Sequence, residues 1–521
     1  MKDKDIKLNR ARSPITTKRR TIMRDRDMKQ HRAILVDDYV HGRIGRRDFL
    51  RKAAVLGLGA GILGSGIARP GGQLISSALA QDLRPSEEVL KWVKDVSSPF
   101  RGTTLKLATE STPPSNAIKD RLKPFFEEAS GMKVEIEVLP LEQVLQKMTL
   151  DIASQLGTYD LYYIDQSWAA SVSQDVFDPR EQIADNPDLA MPNYQIEDFL
   201  PALVDGIAKY EDRWVGVPYD IPIFIMMYRK DIWERMGFEA PGTLEEYYEQ
   251  AKAITDEMGP DVYGATGQMK SGHYSLECDW TAWLWGHGGS IFGPDGKFAG
   301  NDERGLEAME YWTRLVKTMP PGVHGWTWDG QGQSVAQGVA ASMMSWGEFF
   351  PYFDDPDETK VSGLMEAVRC PPPKRALRTV NQTGYGEIPG VAHQGGSSLA
   401  VSKNSKNPDP AWIFMQWATS YDTQVLITAL GGGTGPTRAS VYDDERIIAN
   451  RRVGPGTTRH LDVVRESIAK DMGSEPDLPQ WAELSNDTIP VRLGKYFAGD
   501  YGSVKEAMDD ITEAVDEIVE G

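Results

Sequence analysis

The chain of 521 residues holds only two cysteines and seven histidines. Cys278 and Cys370 form no C-x-x-C pair, neither has a His at ligand spacing, and no H-x-x-x-H occurs. Zinc-ribbon, dithiol-redox and His-helix metal chemistry therefore find no ligand set, and neither a metal nor a cofactor is expected. In an oxidising compartment the two thiols could bond; two separately buried thiols is the plainer reading. Repeats and low-complexity tracts are absent. Positive charge is scarce over most of the chain: of the 57 Lys and Arg, 18 fall in residues 1–80 beside 7 of the 76 acids, leaving 39 basic against 69 acidic residues beyond. A body of formal charge −30 repels phosphate and argues against a nucleic-acid partner.

Long apolar runs are also missing. The stretch from Ala53 to Ala68 is Gly-rich and shorter than the ~20 residues a membrane span needs. It follows a charged region ending in Gly45-Arg46-Arg47-Asp48-Phe49-Leu50 and precedes Ala78-Leu79-Ala80, the three parts of a secretory signal. The Arg46-Arg47-x-Phe49-Leu50 run resembles the twin-arginine export signal. The expectation is that residues 1–80 are a removed signal region, with Met23 or Met28 as the true start, a mature protein from near Gln81, and a periplasmic location. No cysteine stands at the cleavage point to carry a lipid anchor.

The length beyond the leader suffices for two large lobes. Thr103–Thr109 and Met132–Val138 alternate as strands, and Ile118, Leu122, Phe125, Phe126 and Ala129 recur at helical spacing between them, with Pro124 threatening a kink. A helix over 141–156 leads to a strand over 160–164. This βαβαβ order predicts a mainly parallel sheet with ligands beyond its carboxyl edge. Later helices are expected from Thr243, whose capping box closes with Glu246, from Asp302, from an Asp409 cap with Pro410 at the first position, and over the amphipathic C-terminus.

Several segments, in order, resemble the bacterial extracellular sugar-binding proteins of ABC importers. They are Phe125-Phe126-Glu127-Glu128-Ala129-Ser130-Gly131, Trp214-Val215-Gly216-Val217-Pro218-Tyr219, Met227-Tyr228-Arg229-Lys230-Asp231, Gln337-Gly338-Val339-Ala340-Ala341-Ser342-Met343 with Trp346-Gly347, and Gly395-Gly396-Ser397-Ser398-Leu399-Ala400-Val401-Ser402. Ser342, interrupting its block, and the Trp- and Gly-rich stretch 269–327 depart from that pattern. The resemblance, similar to maltose-binding-protein-like binders, implies an α/β, two-lobed periplasmic binding protein fold. Each lobe is then a mainly parallel sheet flanked by helices, and a hinge is crossed more than once. Lobe one is expected at 101–217 plus 399–445, lobe two at 222–394 plus 446–521, and the crossings at 217–221 and 395–398, where glycine permits unusual torsions. A monomer that captures a small molecule and meets a membrane permease follows from the same resemblance.

A sugar offers an apolar C–H face and a rim of hydroxyls, so its site needs aromatic platforms among carboxylates and amides. Seven of the fourteen tryptophans lie between 280 and 346. Trp346, before Gly347 and Glu348, is the leading platform candidate, and Trp312 and Trp417 read as core. Asp165, Gln166 and Trp168 follow a strand, where they line a site or merely cap a turn. Tyr219 and Asp220 stand at a crossing, as do Gly395 and Gly396. Glu110 and Ser111 leave the first strand, and Trp280 and Trp283, with Asp279 alongside, line lobe two or pack. A carbohydrate or polyol is the expected ligand; a polyamine, an amino acid or a phosphorylated polyol is the alternative within the same fold. No catalysis is expected. An exported glycoside hydrolase using a pair such as Asp279 and Glu348 is the alternative of another class.

Overall fold

The computed structural model describes residues 83–378, 386–431 and 433–521; the proposed export signal lies outside them. The first sheet grows from the predicted βαβαβ unit. β1 (Thr104–Glu110) turns Leu105 and Leu107 inward and Lys106 outward, and pairs in parallel with β2 (Lys133–Leu139) from Thr104↔Lys133 to Glu110↔Leu139. β3 (Leu161–Asp165) is buried throughout and lies parallel to β1 on its other side. Pro124 does break the helix between β1 and β2: a wider π-type turn at Ile118–Leu122 separates Pro113–Ala117 from Lys123–Ser130, absorbing the missing N–H. Gly131, at φ 71°, ends it.

β4 (Val217–Asp220) completes this sheet, and the chain then passes through Ile221, Pro222 and Ile223 into the second sheet at β5 (Phe224–Arg229). There β6 (Ser342–Trp346) and β7 (Met365–Val368) flank β5. β8 (Ala392–His393) precedes the return into the first sheet as β9 (Ser397–Val401), while β10 (Met472–Gly473) pairs with β8. The first sheet has the order β2-β1-β3-β9-β4, with β9 antiparallel to both neighbours. The second sheet departs from expectation, since β5 runs antiparallel to β6 and to β7. The connection from β5 to β6 runs through residues 230–341 and carries five α-helices, and so long a path can return the chain beside β5 in either direction.

The cores are aromatic. Phe126 meets Phe414 edge-on and Trp417 at a tilt, each at 5.1 Å, and Trp312 packs edge-on to Phe497 at 4.7 Å, so Trp312 and Trp417 are core as read. Thr243 caps its helix by accepting from the Glu246 N–H at 3.1 Å. The helix expected to open at Asp409 instead begins at Pro408 behind Asn407, whose side chain makes no capping bond. Cys278 and Cys370 are both free and buried. Among the described residues no helix is long and apolar enough to cross a membrane. Replacing Trp417 with Ala empties the centre of the Phe126 cluster, and urea denaturation should read a loss of about 3–5 kcal/mol.

Candidate functional site

Parallel strands end on the same side, and here each of three ends in an acid: β1 in Glu110, β3 in Asp165, β4 in Asp220. β9, running the other way, starts there with Ser397, in register with both Asp165 and Asp220. Its hydroxyl donates to Asp220 Oδ1 at 2.5 Å. Asp165 accepts from the Ser167 N–H at 2.9 Å and its hydroxyl at 2.6 Å, so the capped-turn reading holds while the carboxyl still joins the group. Tyr163 donates to Glu110 at 3.0 Å, and Tyr219 shares a 3.3 Å hydrogen bond with Ser115.

The second sheet supplies the facing groups. β6 delivers Trp346, which packs edge-on to Phe224 at 5.0 Å and to Trp328 at 5.6 Å. Its Nε1, Glu348 Oε2 and Asp220 Oδ2 are all buried without a hydrogen-bond partner. Gly395 and Gly396 serve differently from expectation, for neither has the left-handed torsion that only glycine takes easily. What they lack is room: a Cβ on Gly395 would stand 3.1 Å from Trp346 Nε1, and one on Gly396 3.0 Å from Ile207 and Ile221. Gly347 is likewise pressed, with Val464 at 3.0 Å.

Burial is the main force on these acids, and their mutual charge adds to it. The Glu110 carboxyl is held well above its usual range by burial and by Asp165, Glu348 and Asp220. Asp165 and Asp220 are pushed up to about 7, although hydroxyl donors oppose the burial. Glu348 reaches about 8 through burial, Asp220 and Asp329. As whole residues Glu110 and Glu348 are part-exposed, but their carboxyl ends are enclosed and the enclosure governs the charge.

Beside the acids lies a second network that no sequence motif announced. Gln166, just past β3, donates to the Tyr274 hydroxyl at 3.2 Å and accepts from Gln394 at 2.7 Å and from the Glu475 N–H at 3.2 Å. Glu475 accepts in turn from Tyr274, from His393 Nε2 at 2.8 Å and from Trp481 Nε1 at 2.6 Å. One ligating atom from each of Glu277, Cys278, His393 and Glu475 lies within 4.8 Å of the others, a grouping their sequence spacing hid. Burial first, then the neighbouring Glu475, raise Glu277 well above the carboxylate range. Further out, His273 approaches Glu142 at 2.9 Å.

Of the predicted residues, Glu110, Asp165, Gln166, Tyr219, Asp220, Trp346, Gly347, Glu348, Gly395 and Gly396 fall in or against these two groups. Ser111 is exposed, and its side chain meets only Asn116, at 3.5 Å. Trp280 stacks on Phe298 at 5.8 Å and Trp283 tilts against Tyr311 at 5.6 Å, both inside the body with the Asp279 carboxyl, which accepts from Gln268. Trp168 is wholly buried. Sequence reasoning missed Ser115, Tyr163, Trp328 and Ser397. Ser397 sat inside a matched block, and Tyr163 on a strand next to a chosen end. Two surface depressions, one between Ser503 and Glu513 and one beside Lys106 and Asp160, include none of these groups.

Comparison with known proteins agrees with this architecture. The family model described as bacterial extracellular solute-binding protein matches residues 108–425, and a YqhI-like model matches residues 20–57. A probable amino-acid ABC transporter periplasmic-binding protein of Sinorhizobium fredii is 22% identical over 62% of this chain and 70% of its own. An erythritol/L-threitol-binding protein of Mycolicibacterium smegmatis is 21% identical over 67% of this chain and 74% of its own. A solute-binding protein of Agrobacterium radiobacter, solved with ribitol, superposes with a TM-score of 0.69 at 24% identity, covering 81% of this chain and 99% of that one.

The raised carboxyls fix a pH dependence. Asp165, Asp220, Asp279, Glu387 and Asp477 at about 7, with Glu348 at about 8, hold protons in the folded chain that the unfolded chain has released above its ordinary 3.8 to 4.5. The folded state binds more protons through that window, so stability falls as pH rises from 5 to 8. His460, lowered to about 4 by burial, and His287, also lowered by burial, act oppositely below their ordinary 6.5, but two histidines face six carboxyls. The ligand-free thermal midpoint should therefore drop between pH 5 and pH 8, and Asp220→Asn or Glu348→Gln should each shrink the drop. A midpoint that rises over that range contradicts the assignment.

Proposed function

Because the chain belongs to the bacterial extracellular solute-binding proteins, we propose that it takes a carbohydrate or polyol between its two lobes and hands it unchanged to the membrane permease of an ABC importer. One observation carries the choice of solute: Asp220 at the end of β4 and Glu348 just past β6 act on one another across the two sheets, and Asp220 Oδ2, Glu348 Oε2 and Trp346 Nε1 are all buried with no partner. Buried polar atoms of this kind cost roughly 1–3 kcal/mol each unless something bonds them. Hydroxyls donate to the two acceptors and accept from the indole, while the Trp346 and Trp328 rings offer apolar surface to the C–H face. The erythritol/L-threitol-binding relative and the ribitol-bound neighbour favour the same solute class.

The lobes in this reading are 101–217 plus 399–445 and 222–394 plus 446–521, with crossings at 217–221 and 395–398. The Gly395 N–H, donating to the carbonyl of Pro222 at 2.9 Å, ties the second crossing to the residue that follows the first, which suits a hinge moving as one. The protein acts as a monomer in the periplasm, exported by the twin-arginine route. The hydrolase alternative loses its proposed pair, since Asp279 is engaged by Gln268 inside the body while Glu348 faces Asp220.

A thermal-shift screen of sugars, polyols, polyamines and amino acids tests the reading. A solute at a hundredfold excess over its dissociation constant stabilises by ~2.7 kcal/mol. A shift with a sugar or polyol supports the proposal, and a shift with amino acids alone overturns its choice of solute. Trp346→Ala should weaken the solute found at least tenfold by calorimetry, and unchanged affinity removes Trp346 from the site.

A further inference from the structure

The four cleft carboxyls lack an internal counter-charge. Among the described residues no Lys, Arg or His makes a hydrogen bond or ion pair with Glu110, Asp165, Asp220 or Glu348; their bonded partners are the hydroxyls and amides of Tyr163, Ser167 and Ser397. The other ionisable groups acting on them are Asp329 from the helix Trp328–Ala336 and Glu475 from the chain after β10, both acids. Basic groups of the surrounding elements are engaged elsewhere. Arg438 binds the Thr419 and Gln195 carbonyls and approaches Asp198, Arg459 pairs with Asp354, His460 bonds the Gly433 carbonyl, and His393 bonds Glu475.

A neutral polyol would satisfy single lone pairs here yet leave the carboxyls with no opposite charge against which to ionise, so burial would keep their protons on. Burying like charges without an opposite one is costly, and a cation brought in by the ligand offsets it. Asp220 is 1% exposed, and its Oδ2 has no partner at hydrogen-bond distance, although the Thr112 hydroxyl stands near enough to favour its charged form; Oδ1 is bonded to Ser397. Glu348 Oε2 faces it from the other sheet in the same condition. The indole of Trp346, with its Nε1 beside Gly395, adds a ring suited to an ammonium.

We infer that the transported solute is an amine-bearing polyol, an amino sugar or amino alcohol, whose ammonium seats between Asp220 and Glu348. The inference rests on the reading that a hydroxyl-rich solute fills this cleft, and it adds the charge. The amine then binds with release of the protons that burial keeps on these carboxyls, and its affinity rises with pH.

Calorimetry on the full protein, with pairs differing only in an amine, decides the matter: D-glucamine against D-sorbitol, D-glucosamine against D-glucose, and serinol against glycerol. At pH 8 the amine of at least one pair should bind tenfold or more tighter than its neutral partner. Its heat should vary with the buffer's ionisation enthalpy in the sense of proton release, and its advantage should shrink toward pH 5.5. Asp220→Asn and Glu348→Gln, isosteric and expected to stabilise the ligand-free protein at pH 8, should each reduce that advantage. A neutral partner binding as tightly at pH 8, or no amine preference in any pair, overturns the inference and leaves the polyol reading standing. Binding of amino acids or spermidine with no response to any hydroxylated probe overturns both.

Discussion

Everything at this site follows from placing acidic groups where water cannot reach them. Three strands running the same way bring Glu110, Asp165 and Asp220 to one edge, and the second sheet closes Glu348 over them. Such an edge is unstable by itself. Ser397, Ser167 and Tyr163 each give it a hydroxyl, yet Asp220 Oδ2 and Glu348 Oε2 stay unmatched. A structural protein would replace those acids with apolar residues at no loss; under the proposed function they are kept because the ligand completes them.

Gln166 and Glu475 gather donors from both sides into a continuous network, and the two chain passages beside it are fastened to each other through Pro222 and Gly395. The tryptophans divide accordingly. Trp280, Trp283, Trp312 and Trp417 spend their area on packing, and Trp346 stands against Gly395 at the strand ends; what sets it apart is that position, since the indole N–H of each of the five is unbonded. A cluster of one residue type in sequence thus served two ends, and depth along the helix or strand separated them.

The βαβαβ opening was legible in the sequence because alternation and helical spacing are local signals, and so were Glu110 and Asp165, whose position follows from strand direction; Asp220 came instead from its place at an expected crossing. Motif resemblance supplied the second half of the site, including Trp346, Glu348 and the glycine pair. What stayed hidden was long-range. The antiparallel second sheet joins strands over a hundred residues apart, and Glu475 meets Tyr274, His393 and Gln166 only after folding. The reason given for Gly395 and Gly396 was also wrong in kind, since close approach of neighbours cannot be read from one strand. Ser111 fell outside because β1 ends one residue earlier, turning it to solvent.

A crystal structure of the protein with its tightest-binding solute tests the central claim most directly. The account predicts solute atoms within hydrogen-bond distance of Asp220 Oδ2, Glu348 Oε2 and Trp346 Nε1, bridging the two sheets. A solute bound elsewhere, with those three atoms still unpartnered, would contradict it.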